Sequence, residues 1–87
     1  MEINISKSRL IKARKVVNLT PIELKLLLAL ANEKFNTYDE LRNFAYKNPK
    51  VGNQAIKDKV TQIRDKLYLK IAINNFGCRM RNKISIR

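Results

Sequence analysis

The fifteen residues Asn53–Leu67, NQAIKDKVTQIRDKL, place Ile56, Val60, Ile63 and Leu67 at positions i, i+4, i+7 and i+11. That spacing gathers four apolar side chains on one stripe of an α-helix. A helix divided in this way buries its stripe against a core supplied by the rest of the chain and turns its other face outward. The outward set holds Gln54, Lys57, Asp58, Lys59, Thr61, Gln62, Arg64, Asp65 and Lys66. An ordinary surface helix with solvated charges shows the same pattern, so the remaining sequence decides what the outward face is for.

Charge narrows the choice. Nineteen Lys and Arg stand against seven Asp and Glu, a formal charge of +12 on 87 residues. So one-sided an excess repels itself in the compact state, and a polyanion, either nucleic acid or an anionic membrane surface, is the partner that offsets it. The longest apolar run, Leu26–Ala31, is too short to cross a bilayer, and no apolar signal segment follows Met1. The expectation is a single soluble cytoplasmic domain over residues 1–87. The one cysteine, Cys78, has no partner for an internal disulfide and reads as a small core residue of a strand. With no histidine in the chain, neither a metal site nor a catalytic base with its nucleophile can be assembled, so no cofactor and no enzymatic activity are expected.

Residues 1–19 contain three β-like runs, Glu2–Ile5, Arg9–Lys12 and Lys15–Leu19, joined by spacers that suit tight turns of an antiparallel meander. This sheet carries Lys7, Arg9, Lys12, Arg14 and Lys15 against one acid, Glu2. Such lysines suit phosphate contacts and equally suit edge protection. At Thr20-Pro21-Ile22-Glu23 the period changes, with an N-cap threonine, a proline at the first helical position and a glutamate at the third. The Leu- and Ala-rich run from Ile22 to Glu33 reads as the central helix, its main face formed by Ile22, Leu26, Leu27 and Leu30. Burying each leucine contributes about 1.5–3 kcal/mol. Thr37-Tyr38-Asp39-Glu40 repeats the capping pattern and starts a second helix to about Tyr46, with Leu41, Phe44 and Ala45 facing the core. Pro49 and Gly52 break the chain before the third helix. Residues 20–67 thus read as a three-helix unit of helix-turn-helix type. Beyond it, Lys70–Ile73 and Gly77–Met80 form a hairpin about Asn74-Asn75-Phe76-Gly77, where Asn and Gly tolerate left-handed backbone. The basic tail 81–87, with Ile84 and Ile86 alternating, either extends that strand or frays.

Sheet, three helices and hairpin, in that order, describe an α+β winged helix-turn-helix. The chain resembles the OmpR/PhoB-type DNA-binding effector domain. Four segments carry the resemblance: Leu19-Thr20-Pro21-Ile22-Glu23, Thr37-Tyr38-Asp39-Glu40-Leu41, Ile63-Arg64-Asp65-Lys66-Leu67 (similar to that family's LRKKL) and Ile73-Asn74-Asn75-Phe76-Gly77-Cys78-Arg79-Met80 (similar to VRGxGYRL). The likeness spans about residues 2–80, and its four weak motifs are in register.

The resemblance implies sequence-specific binding of double-stranded DNA for transcription regulation, with the third helix in the major groove and the hairpin of residues 70–80, the wing, in the adjacent minor groove. Carried onto this chain, base reading falls to Asn53, Gln54, Lys57, Asp58, Thr61 and Gln62. Phosphate contact falls to Lys59, Arg64, Lys66, Arg79 and Arg81, with Asn74 and Asn75 at the wing tip. It further implies tandem dimers on direct repeats and an RNA polymerase contact through the loop containing Lys47, Asn48 and Lys50. The departures have consequences. Thr61, Gln62 and Asn74 occupy positions where the family commonly has arginine, which shifts the expected site from guanine toward adenine edges and thymine methyls, an A/T-rich sequence. Asp58 and Asp65 repel phosphates unless paired with nearby cations or aimed at cytosine amino groups. Asn75 replaces a wing glycine and Cys78 a tyrosine.

No phosphorylatable receiver domain fits beside this unit in 87 residues. The contexts that remain are a domain of a response regulator, the cytoplasmic domain of a membrane-anchored ToxR-like activator, and a stand-alone regulator; Met1 close to the first strand slightly favours the latter two. A winged helix can also be a protein-interaction module with only non-specific DNA affinity. An RNA-binding role is the weaker rival, because Phe35, Phe44, Tyr38, Tyr46, Tyr68 and Phe76 form no clustered stacking platform and read mostly as core.

Overall fold

The computed structural model describes residues 1–87. Strands β1 (Glu2–Asn4), β2 (Arg9–Lys12) and β3 (Lys15–Asn18) form the expected antiparallel meander, with Ile3, Leu10 and Val17 in one inward row. The β2–β3 turn holds Ala13 and Arg14 at φ 49° and 67°. Two successive left-handed residues are what a right-twisted two-residue hairpin demands, and here neither is Gly or Asn. Helix α1 (Pro21–Leu30) starts at the expected capping box: the Glu23 N–H donates to Thr20 Oγ1 at 3.3 Å and the Thr20 N–H to Glu23 Oε1 at 2.9 Å. It ends three residues before Glu33, which takes φ 60° in the following turn.

Strand β4 (Asn36–Thr37) and helix α2 (Tyr38–Leu41) come next, the helix again opened by a complete capping box. From Arg42 to Tyr46 the backbone widens into a π-helical turn closed by Lys47 at φ 51°. Helical structure therefore reaches Tyr46 as expected, but the wider repeat swings Phe44 off the core face. Leu41 and Ala45 are buried, whereas Phe44 is 51% exposed. Helix α3 spans Asn53–Leu67, and Ile56, Val60, Ile63 and Leu67 are its buried residues. Strands β5 (Ile71–Ile73) and β6 (Gly77–Met80) form the hairpin, and β4 pairs with β6 to complete a three-stranded sheet.

Two sequence expectations are corrected at the hairpin and the tail. No residue of the Asn74–Gly77 turn has a positive φ. Gly77 is required instead by the approach of β4, since a Cβ there would lie 2.0 Å from the Asn36 carbonyl oxygen. The tail neither frays nor extends the hairpin. Strand β7 (Ser85–Ile86) joins the N-terminal sheet parallel to β1, and Arg87 pairs with Glu2 at 2.8 Å. The aromatics are likewise not mainly core. Tyr38 is buried and Tyr46 half-buried, but Phe35, Phe44, Tyr68 and Phe76 are exposed because they sit in turns, at a widened helix turn or in a helix cap, while Leu, Ile and Val fill the interior.

Candidate nucleic-acid interface

The outward face of α3 is polar along its whole length, with Asn53, Gln54, Asp58, Gln62, Asp65 and Lys66 exposed. Its N-terminus is set by Arg42, whose side chain is only 12% exposed. Arg42 Nε donates to the Val51 carbonyl at 2.6 Å, and its two terminal nitrogens reach Asp39 and the Asn53 side chain. One guanidinium thus fastens α2, the intervening loop and the first residue of α3. At the other end, Tyr68 takes φ 53° as the C-cap and donates its N–H to the Arg64 carbonyl. Lys12 Nζ then donates to the free carbonyls of Leu67 and Tyr68 at 3.1 and 2.8 Å, placing a cation at the negative end of the helix.

Within the face, Gln54 Nε2 donates to Asp58 Oδ1 at 2.7 Å. Asp58 is therefore held by an amide rather than by a neighbouring lysine. Arg64 Nε pairs with Asp65 at 3.0 Å, one of the neutralising arrangements the sequence required of that acid. The half-buried Thr61 donates its hydroxyl hydrogen to the Lys57 carbonyl at 2.8 Å. Gln62 is exposed and Lys59 half-buried. Lys66 leans back toward α1, with Nζ 3.5 Å from Glu23 Oε2. Glu23 is buried, which by itself raises its pKa, but hydrogen bonds from the Thr20 backbone and side chain, with Lys66 beside it, outweigh burial and leave it below the ordinary carboxylate value.

The β5–β6 tip is joined to this face. Lys57 Nζ donates to Asn75 Oδ1 at 3.3 Å. Asn74 Oδ1 accepts the N–H groups of Phe76 at 2.7 Å and Gly77 at 3.1 Å, and the Asn74 carbonyl accepts the Tyr38 hydroxyl at 2.6 Å. Burial beside Cys78 pushes the Tyr38 hydroxyl up to about 12 and also raises the Cys78 thiol.

Neither a family model nor a curated protein matches the chain. Two solved structures do. The DNA-binding domain of Bacillus subtilis CssR superposes with a TM-score of 0.72 at 26% identity, covering 83% of this chain and 89% of that one. The DNA-binding domain of E. coli CadC superposes with a TM-score of 0.75 at 20% identity, covering 86% of this chain and 79% of that one. The chain has the winged-helix fold of these two DNA-binding domains, as its resemblance to the OmpR/PhoB type implied.

In winged-helix terms, α3 is the third helix, β5–β6 is the wing and residues 47–52 are the loop that leads into α3. Of the residues singled out in the sequence, Gln54, Lys57, Asp58, Thr61 and Gln62 share the outward side of α3, with Asn53 at its start. Lys59 and Arg64 flank that side. Two others are drawn elsewhere: Lys66 toward Glu23, and Arg79, whose Nε donates to the Glu33 carbonyl at 3.0 Å in the α1–β4 turn. Arg81 is exposed just beyond the wing, and Lys47, Asn48 and Lys50 are exposed in the loop. Sequence reasoning missed Arg42, Tyr38 and Lys12 as the residues that hold the winged-helix interface in place. Asp39 and Arg42, three apart on one helix, were the only local signal for any of them.

Proposed function

We propose that this chain is the sequence-specific double-stranded DNA-binding domain of a transcription regulator, with α3 in the major groove and the wing in the adjacent minor groove. The observation that carries this reading is the division of α3. Its apolar stripe is buried, and its outward side, fixed at both ends by Arg42 and Lys12, presents the exposed amides of Gln54 and Gln62 between the half-buried cations Lys57, Lys59 and Arg64. The fold shared with two DNA-binding domains and the charge of +12 support the same reading.

Base reading falls to Gln54, Asp58 and Gln62, with Asn53, Lys57 and Thr61 at the margin of the set. The Thr61 hydroxyl hydrogen is already donated within the helix, so its methyl is the group it offers to a thymine. Lys59, Arg64 and Arg81 contact phosphates. Arg79 and Lys66 act after releasing Glu33 and Glu23, or add only long-range potential. The exposed loop of Lys47, Asn48 and Lys50 is offered to RNA polymerase in tandem dimers on direct repeats, in the cytoplasm. No helix is long and apolar enough to cross a membrane.

Selection of duplexes from a random pool tests the reading. Enrichment of a common A/T-rich site, abolished by combined Gln54→Ala and Gln62→Ala substitution, supports it. A pool that stays random after repeated rounds contradicts it.

A further inference from the structure

The wing tip presents an unusual chemistry for a surface that meets nucleic acid. Its two side-chain amide oxygens are already engaged: Asn74 Oδ1 holds the turn and Asn75 Oδ1 accepts Lys57. Beside these exposed asparagines, the apolar side chain at the tip is Phe76, 76% exposed. Its backbone is pinned on both sides, the N–H by Asn74 Oδ1 at 2.7 Å and the carbonyl by the Tyr38 N–H at 3.2 Å. The fold thus fixes this residue in place and gives its ring little to pack against. The Lys57–Asn75 hydrogen bond ties the residue next to Phe76 to α3, so placing that helix in one groove brings the ring to the neighbouring groove.

Resting on the DNA-binding reading above, we propose that Phe76 is a specificity-determining residue that enters the minor groove as an apolar wedge at a pyrimidine–purine step. A phenyl ring has no donor or acceptor with which to read base edges. What it can read is deformability: flexible pyrimidine–purine steps unstack at low cost, and an inserted apolar side chain gains contact with the opened step and the sugar walls. The wing then selects sequence by shape, while α3 selects by hydrogen bonds.

The chain contains no tryptophan, so Phe76→Trp places a single indole fluorophore at the tip. Binding itself is followed independently by anisotropy of a labelled duplex recovered by selection. In the complex, the indole emission is expected to fall through base stacking and to become shielded from acrylamide. Phe76→Ala is expected to melt as the parent does, and to lose on the order of tenfold in affinity with an unchanged salt slope. It is also expected to lose its preference at the step beneath the wing while keeping those beneath α3. A bound complex in which the indole remains fully quenchable and Phe76→Ala binds as the parent overturns the wedge alone. Absence of any preferred duplex overturns the wedge together with the DNA-binding reading.

Discussion

Arg42 and Asn53 are joined side chain to side chain, so the residue where α2 passes into the π turn holds the first residue of α3. The same guanidinium holds the Val51 carbonyl. Replacing Arg42 with alanine leaves that carbonyl and Asp39 without their donor. Arg42→Ala is expected to lower stability by about 1–3 kcal/mol in urea titration. Arg42→Lys is expected to recover little, because a single ammonium cannot span three acceptors in one plane. Its DNA affinity should fall further than the stability loss accounts for, since the start of α3 loses its anchor.

Gly77 supports the wing by what it lacks. A methyl group at this position meets the backbone of Asn36 and Thr37, which cannot move aside without parting β4 from β6. Gly77→Ala is expected to cost about 1–3 kcal/mol or more by overpacking, measured as a lowered melting temperature. Gly52→Ala, where nothing lies within 4 Å, is the contrasting variant and should stay close to the parent.

These two cases show which parts of the fold could be read from sequence. The stripe of α3 and the two capping boxes are local patterns, each complete within a few residues, and the structure reproduces them. Strands β4 and β7 are two residues long and exist only through partners forty or more residues away, so no alternation could announce them. The π turn moved Phe44 outward through a change in helical repeat that the Leu41, Phe44, Ala45 spacing does not carry. On the interface, the outward residues of α3 were legible because burial of the stripe dictates them. The roles of Lys12 and Arg42 were not, since each depends on carbonyls brought near by the tertiary fold.

The β2–β3 turn leaves room for improvement. Arg14 at φ 67° occupies a conformation that glycine adopts without steric cost. Arg14→Gly is expected to raise stability by about 0.5–1 kcal/mol in thermal or urea unfolding, less the greater freedom glycine gives the unfolded chain.

Stability should fall at both ends of the pH scale, for different residues. The Glu23 carboxyl lies below its ordinary value of 4.5 in the folded chain, so its contribution is present above that value and is lost as pH falls through the lower folded value. Glu23→Gln is accordingly expected to destabilise at neutral pH, with the difference from the parent shrinking in acid. Tyr38 is raised from 10.0 to about 12, so its contribution is intact below pH 10 and declines as the unfolded chain ionises between about 10 and 12. Tyr38→Phe should remove much of that alkaline decline, at the cost of the hydrogen bond to Asn74. Urea midpoints from acid to alkaline pH check both limbs.

The division of labour on α3 is tested most directly by fluorescence anisotropy with the selected duplex against a scrambled duplex of equal composition, over roughly 50–200 mM salt. The parent is expected to prefer the selected duplex by about a thousandfold or more, with that preference persisting as salt rises. Gln62→Ala should erode the preference, whereas Arg64→Ala should weaken both duplexes alike and reduce the salt slope by about one unit. Equal affinity for the two duplexes, collapsing together as salt increases, would contradict the account and leave only the attraction of a +12 chain for a polyanion.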